Sequence, residues 1–255
     1  MTIFTCAPQW DAMLTCIYEA SESKLGHKNT RLLLEPLGQQ SFLDEYIHVE
    51  ADAEKAGKVA ESIINRISYR FYLELAYTAM AYEEDVLDNI YHVLLFGFKF
   101  GEDALKMVQY RDIIRNREIR ARVVREAERF REILRFHQLG DLYVAHFEPK
   151  SRVVGYLGPI FQDRMPSENF IIVDDVHREA VVHRRNADYY IWQINDIEFA
   201  RLAQTEQEND EYTDLWKAFF DSIAIEERAN EKCQKSHFPL WARKHAVEFN
   251  IDGRG

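Results

Sequence analysis

The chain has 255 residues, of which 47% are hydrophobic and 13% aromatic, a composition that indicates a packed globular protein and excludes a disordered one. Its formal net charge of −11 argues against a protein that coats duplex DNA, although it leaves room for a local basic surface. No apolar run approaches the roughly 20 residues that span a bilayer. The N-terminus also lacks the pattern of a signal peptide, so we expect no membrane segment and a cytoplasmic location.

The cysteines and short motifs do not indicate a known type of catalytic site. Cys6, Cys16 and Cys233 show no CxxC spacing, so a zinc or cluster site built on cysteine is not expected. Their small number fits a reducing compartment. Phosphate-loop, dinucleotide, zinc-protease and serine-hydrolase motifs are all missing from the sequence. We therefore predict no metal and no cofactor, and leave open whether the protein is an enzyme.

The first part of the chain, residues 1–138, is predicted to be mainly helical with short strands near its start. β-prone runs predict three strands, at 2–5, 31–34 and 46–49. Helical spacing of apolar residues predicts four helices, at about 10–25, 52–67, 68–82 and 83–98. Asp52 is a candidate N-cap, and Gly97 or Gly101 ends the fourth helix. A long amphipathic helix without Pro or Gly then follows over 107–136.

The rest of the chain is predicted to hold a small sheet and further helices. Residues 139–200 contain a strand at 142–147, a short helix over 153–162 that breaks near Gly158 and Pro159, and three sequential strands that form an antiparallel meander. One face of the meander must be covered, and the helix at 107–136 is the nearest amphipathic candidate. Residues 201–255 are predicted to form C-terminal helices. The expected fold is α+β, in one compact domain over 1–255.

The helix at 107–136 gathers arginines on one face. Placed at 100° per residue, five of them lie within about 40° of one line. They are Arg111, Arg115, Arg122, Arg125 and Arg129. The planar fork of arginine binds two oxygens at once, so this arginine face could bind a phosphate backbone or an acidic partner. The alternative is a solvated face that Glu118, Glu126 and Glu132 partly neutralise from neighbouring turns.

Two other arginines of this helix, Arg120 and Arg131, fall at the edge of its apolar side. An unpaired charge would be costly there. We therefore expect each of them to have a structural partner, such as a carboxylate or a carbonyl.

Polar residues of the predicted meander form a second candidate site. Asp174, Asp175, His177 and His183 lie on one hairpin, where carboxylates and histidines could bind a metal or transfer protons. However, these residue types are also ordinary at hairpin tips, and strand alternation sends Asp174 and Asp175 to opposite faces.

Aromatic residues of the last predicted strand form a third candidate site. Tyr190 and Trp192 share one strand face, with Tyr156 as a possible neighbour. Aromatic side chains on a sheet can stack single-stranded bases. They are more commonly part of a core.

Residues 225–249 combine many polar and charged side chains with Phe238 and Trp241. These side chains could form a hydrogen-bonded network that orders a turn between two helices. Alternatively, Arg228, Asn230 and Gln234 could read a ligand in a pocket.

Four segments carry a family resemblance that covers nearly the whole chain. They are FTCAPQWDAMLTCIYEA, EAERFREILRFHQLGDLYVAHFEPK, GPIFQDRMPSENFIIVDDVHREAVV and LWKAFFDSIAIEERANEKCQKSHFPLWARKHAVEF. In the same order, they resemble an uncharacterised bacterial family labelled "probable DNA metabolism protein". The positions that match its motifs are Arg129, Arg135, Arg228, Asn230, Gln234, Pro239, Arg243, Lys244 and Glu248. Trp241 and His245 depart from the pattern.

The resemblance implies a link to DNA repair or DNA modification but no catalytic role. Such proteins tend to be encoded beside a putative DNA-repair or DNA-modification radical-SAM protein, and related domains occur fused to a uracil-DNA-glycosylase-like domain. We therefore expect an accessory protein that binds nucleic acid, a radical-SAM partner, or both. The arginine face and the segment from Arg228 to Lys244 would form the contact surface.

Two alternative functions, an enzyme and a protein-binding adaptor, would require different features. An enzyme acting on nucleic acid, of glycosylase or hydrolase type, requires a carboxylate or histidine in a cleft beside the basic groups. An adaptor that binds only protein would lack the steep salt dependence of phosphate contacts.

Overall fold

A computed structural model describes residues 1–38 and 40–195, which form six α-helices, one 3-10 helix and eight strands in two sheets. The fold class is α+β, as predicted. The chain groups into two compact units, and the division falls within the fifth helix, between Val124 and Arg125. The single domain over 1–255 stays a prediction, and the helices expected in 201–255 lie outside the described residues.

The first unit begins with a parallel three-stranded sheet. β1 (Thr2–Cys6) lies between β2 (Thr30–Leu34) and β3 (Glu45–His48), and both neighbours run parallel to it. Parallel strands need a crossover connection, which α1 (Trp10–Glu22) supplies between β1 and β2. The three predicted strands are confirmed, and their parallel pairing is a feature that the strand residues alone did not indicate.

Three complete helices follow in the first unit, namely α2 (Ala53–Arg66), α3 (Tyr69–Ala79) and α4 (Val86–Phe100). Asp52 caps α2 as predicted, since its side chain accepts hydrogen bonds from the backbone N–H groups of Glu54 at 2.9 Å and Lys55 at 3.1 Å. Gly101, with φ of +67°, ends α4, as expected for a position that favours glycine.

The arginine-bearing helix is shorter than predicted. A 3-10 helix (Gly101–Lys106) and a short turn follow α4, so α5 begins at Arg111 and ends at Ile133. Residues 107–110, the predicted start of the helix, form this turn instead. The absence of Pro and Gly permits a helix there but does not require one.

The second unit contains a five-stranded sheet in the order β4–β5–β6–β7–β8. The strands are β4 (His137–Leu139), β5 (Leu142–Phe147), β6 (Asn169–Asp174), β7 (Glu179–His183) and β8 (Tyr190–Gln193). The last three form the predicted antiparallel meander. β5 instead pairs with β6 in parallel, and α6 (Val154–Arg164) provides the crossover between them.

The predicted break in the helix after β5 was wrong. α6 continues through Gly158 and Pro159. A proline within a helix removes one backbone hydrogen bond. This loss is offset because α6 packs against the sheet and its Leu157 and Phe161 side chains are buried. Gly158 permits the close packing, because a Cβ atom at this position would lie 2.6 Å from Cε2 of Tyr189.

Two helices thus contact the second sheet. α6 packs against the meander. The sequence had predicted only the helix at 107–136 as a cover for the meander. α5 also contributes, since the rings of Phe130 and Phe147 meet edge to face with centroids 4.9 Å apart. Within the described ranges, 1–38 and 40–195, no helix has both the length and the apolar character to cross a membrane.

Candidate functional site

Two members of the arginine face are ion-paired within the first unit. Arg115 meets Asp85 with both prongs of its fork, at 3.1 Å from Nε to Oδ2 and 2.9 Å from Nη2 to Oδ1. The hydrogen bonds from Arg115 lower the pKa of Asp85. Arg122 donates to Glu83. These arginines therefore attach α5 to the segment that precedes α4, using the same fork geometry that suits a phosphate.

The other members of the arginine face are exposed. Arg111, Arg125 and Arg129 have no ion-pair partner in the part of the chain that the structure describes. Arg125 and Arg129 belong to the second unit and are one helical turn apart, about 6 Å along the axis. Two like charges at this spacing repel each other, and an anion placed between them would relieve that repulsion.

The acidic side chains nearest to Arg125 and Arg129 in sequence bind elsewhere in the second unit. The Glu126 carboxylate accepts hydrogen bonds from the backbone N–H groups of Lys150 at 2.6 Å and Ser151 at 3.2 Å. The Glu128 carboxylate accepts one from the Tyr156 hydroxyl at 2.7 Å. These contacts engage two carboxylates that could otherwise neutralise the arginine face.

The two arginines at the edge of the apolar side have structural partners, as expected. Nε of Arg120 lies 2.5 Å from Oε2 of Glu74, and its guanidinium is 5.8 Å from the ring centroid of Tyr77. Nη2 of Arg131 lies 2.6 Å from Oε2 of Glu128. Both charges are thus balanced by neighbouring carboxylates.

Asp174 organises the tip of the hairpin between β6 and β7. Its side chain is fully buried, and Oδ1 accepts hydrogen bonds from the backbone N–H groups of Val176 at 3.0 Å and His177 at 2.9 Å. Oδ2 lies 2.7 Å from Nδ1 of His177. This arrangement is a turn held by one carboxylate.

The other polar residues predicted on the hairpin are not assembled with Asp174. Asp175 contacts His146 on β5, at 3.0 Å from Oδ1 to Nδ1, so the expected separation of the two aspartates is confirmed. His183 lies at the far end of β7, where Nδ1 is 2.9 Å from the Glu168 carbonyl and the ring stacks on Phe170. Burial lowers the pKa of His183. The four residues therefore do not form one site.

A buried ion pair at this hairpin was not predicted from the sequence. Glu179 is 3% exposed and binds Arg152 from the segment before α6. Burial raises the pKa of Glu179, against the opposing effect of the Arg152 charge. Because 27 residues separate the partners, no local spacing could have revealed them. Throughout 1–38 and 40–195, no three His, Cys, Asp or Glu side chains are arranged to hold a metal ion.

The aromatic residues of β8 belong to a hydrophobic core. Tyr190 is buried in a cluster with residues of β5, β6 and β7, and Trp192 packs against that cluster. Burial raises the pKa of Tyr190 to about 12. Tyr156 lies on α6 and contacts α5. These positions favour the core interpretation over a base-stacking surface.

Most of the family-motif positions lie outside the described residues. They are Arg228, Asn230, Gln234, Pro239, Arg243, Lys244 and Glu248, and their roles stay predictions. Arg135 is described and exposed, just after α5. Its Nη1 donates to the carbonyl oxygens of Glu132 at 3.3 Å and Leu134 at 3.1 Å.

Comparison with known families gives a match over residues 84–248, to a domain of unknown function, DUF4130. No curated protein matches the chain. The matched range begins before α4 and includes α5, α6 and the whole second sheet. It leaves out residues 1–83, where the segment at 4–20 had also suggested a family resemblance. The links to DNA metabolism and to a radical-SAM protein stay predictions. The matched residues make up more than half of the chain. The chain therefore belongs to the family of this domain of unknown function, DUF4130.

Proposed function

We propose that this protein is an accessory protein of DNA repair or DNA modification that binds nucleic acid through Arg125 and Arg129 of α5. One observation carries the proposal. Both side chains are exposed, lie one turn apart and have no ion-pair partner within the described residues. Guanidinium groups in this arrangement are suited to the oxygens of a phosphate backbone.

The contacts of the neighbouring acids support this assignment. Glu126 is held by backbone N–H groups and Glu128 by a hydroxyl and by Arg131. Neither carboxylate is therefore free to turn toward the arginine face without breaking an internal contact. Arg115 and Arg122, which are paired within the first unit, are assigned a structural role in place of the binding role predicted for them.

The biological part of the proposal rests on the resemblance of the four sequence segments. Three of those segments overlap the range that matches the DUF4130 family. The resemblance also suggests a radical-SAM protein encoded nearby as a partner. In this proposal the partner performs the chemistry, and the arginine face helps to hold the nucleic acid.

The test is a binding measurement by fluorescence anisotropy with labelled single- and double-stranded DNA. We expect the full-length protein to bind more tightly at about 50 mM than at about 200 mM salt, since phosphate contacts release counterions. Arg129→Glu should weaken binding about tenfold, because it removes a charged contact and adds repulsion. Arg164→Glu is the matched control, since Arg164 is an exposed arginine at the end of α6, and it should change binding much less.

Two results would contradict the proposal. Equal losses in Arg129→Glu and Arg164→Glu would show a general charge effect instead of a defined surface. Binding to DNA only in the presence of the radical-SAM protein, with salt-insensitive binding to that protein, would make the arginine face a protein interface and favour the adaptor alternative.

A further inference from the structure

A cleft of about 430 Å³ lies in the first unit. Its described lining comes from α3, from the 3-10 helix and the turn after it, and from the first half of α5. The volume falls within the range of small-molecule sites, roughly 300–1,000 Å³. None of the five residues of the arginine face is among the described residues that line it.

Asn116 lines this cleft and carries a buried acceptor that no described residue uses. Its side chain is only 3% exposed. Oδ1 has no hydrogen-bond partner among residues 1–38 and 40–195. A buried acceptor without a donor is costly, and Asn116 lines the cleft. A ligand bound there could supply the missing N–H donor once the side-chain amide turns toward the cleft.

The charges of the lining leave one cation available for an anionic ligand. Arg70 pairs with Glu102 at 3.2 Å, Arg120 with Glu74 at 2.5 Å, and Lys106 with Asp103, which is outside the described lining, at 2.7 Å. Both acidic residues of the described lining are therefore neutralised within the protein. Arg117, next to Asn116, is exposed and makes no ion pair with any described residue.

Apolar side chains form another part of the lining. Ile113 is buried, whereas Val108 is 49% exposed and Leu105 is partly exposed. An exposed apolar wall beside a buried amide and a free guanidinium matches the usual composition of a ligand site, in which a few polar groups fix the orientation of a ligand that packs on apolar surface.

We infer that this cleft binds a small nucleotide whose base carries an exocyclic amino group, a class for which adenosine monophosphate serves as the probe. The amide oxygen of Asn116 accepts a hydrogen bond from the amino group. The guanidinium of Arg117 binds the phosphate, and the apolar wall packs against the face of the base. This inference does not depend on the proposed binding of nucleic acid by Arg125 and Arg129.

The test is isothermal titration of the full-length protein with adenosine monophosphate. Adenosine, inosine monophosphate and inorganic phosphate are titrated alongside it. We expect adenosine monophosphate to bind most tightly. Inosine monophosphate should bind at least about tenfold more weakly, since its carbonyl would face the Asn116 oxygen and leave it without a donor. Adenosine and inorganic phosphate should each bind at least about tenfold more weakly, because each lacks one of the two polar contacts.

Two variants distinguish the roles of the polar residues. Arg117→Ala should weaken the binding of adenosine monophosphate about tenfold while leaving that of adenosine unchanged. Asn116→Ala should remove the preference for adenosine monophosphate over inosine monophosphate. Arg164→Ala, at an exposed arginine outside the described lining, is the control and should bind as the wild type does.

Three outcomes would overturn the inference. They are no binding of adenosine monophosphate, equal affinity for the adenine and inosine nucleotides, and unchanged affinity in Arg117→Ala. Because Arg117 is exposed, its variant should fold even if Asn116→Ala does not. Loss of DNA binding in Arg129→Glu with nucleotide binding intact would separate this site from the arginine face.

Discussion

Asp11 shows how burial of a single carboxyl links stability to pH. It lies in the first turn of α1, and burial raises its pKa to about 6. Between about pH 4 and pH 6 the folded protein therefore keeps a proton that the unfolded chain has released. Stability contributed by this group is present at low pH and is lost as the pH rises through that window.

We expect Asp11→Asn to be more stable than the wild type at pH 7, by about 1–2 kcal/mol. The figure is below the full effect of the pKa shift, because the side chain is partly exposed and the helix N-terminus favours a negative charge. The difference should vanish below about pH 4, where the wild-type carboxyl is protonated in both states. Urea unfolding at both pH values measures it, with the exposed Glu22→Gln as control. A gain that persists at low pH would show that charge is not the cause.

Asp174 allows a second residue-scale prediction. Replacement by alanine leaves the backbone N–H groups of Val176 and His177 without their acceptor. Asp174→Ala should therefore lower the free energy of unfolding by about 2–4 kcal/mol. Asp174→Asn retains an oxygen for these groups and should cost less than half as much. Chemical denaturation of both variants tests this, and equal losses would indicate that the pair with His177, not the turn, matters most.

At the scale of single elements, local sequence patterns predicted most of the helices and strands. The Asp52 cap and Gly101 were found because each acts on residues next to it in sequence. The parallel pairing of β5 with β6 was not found, because it depends on the path of α6 between them. The unbroken α6 at Pro159 likewise depends on packing against the sheet, which overrides a local preference.

The candidate site, too, could be predicted only in part from local sequence patterns. The arginine face of α5 follows from the 100° spacing of a helix, so the sequence located it. Which arginines are available does not follow from spacing. The partners of Arg115 and Arg122 lie 30 and 39 residues away, and Glu126 binds backbone groups 24 and 25 residues away. Only the tertiary structure separates structural arginines from exposed ones.

The packing of α4 gives an element-scale prediction with a matched control. A Cβ atom on Gly97 would lie 2.8 Å from Cε1 of Phe71 and 2.9 Å from Cδ1 of Ile67. Gly97→Ala should therefore cost about 1–3 kcal/mol, although alanine is the better helix former. Gly57 lies within α2 with nothing within 4 Å of its Cβ position. Gly57→Ala should stabilise the protein by about 0.5–1 kcal/mol.

Thermal unfolding of the two glycine variants distinguishes packing from helix propensity. Opposite shifts of the melting temperature are expected. If both alanine variants were more stable than the wild type, α4 would not pack on Phe71 and Ile67 as closely as the structure indicates.

At the scale of the whole molecule, the proposed nucleic-acid surface is a local basic surface on an acidic protein. The net charge of −11 repels a phosphate backbone at long range. The proposed contacts of Arg125 and Arg129 with phosphate would be short-range, so their effect should appear in how affinity depends on salt, even where the overall affinity is modest. The salt dependence therefore tests the surface more directly than a single dissociation constant does.

The last prediction concerns the slope of log K against log salt concentration for single-stranded DNA. Each neutralised phosphate contributes about −0.7 to this slope. Arg129→Ala should reduce its magnitude by about 0.7, and the double variant Arg125→Ala/Arg129→Ala by about 1.4, whereas Arg164→Ala should leave it unchanged. Anisotropy titrations over a salt series measure all four proteins. Because the slope counts phosphate contacts, weaker binding with an unchanged slope would mean that the two arginines act without touching phosphate, and the arginine face would then have to be assigned to a protein partner.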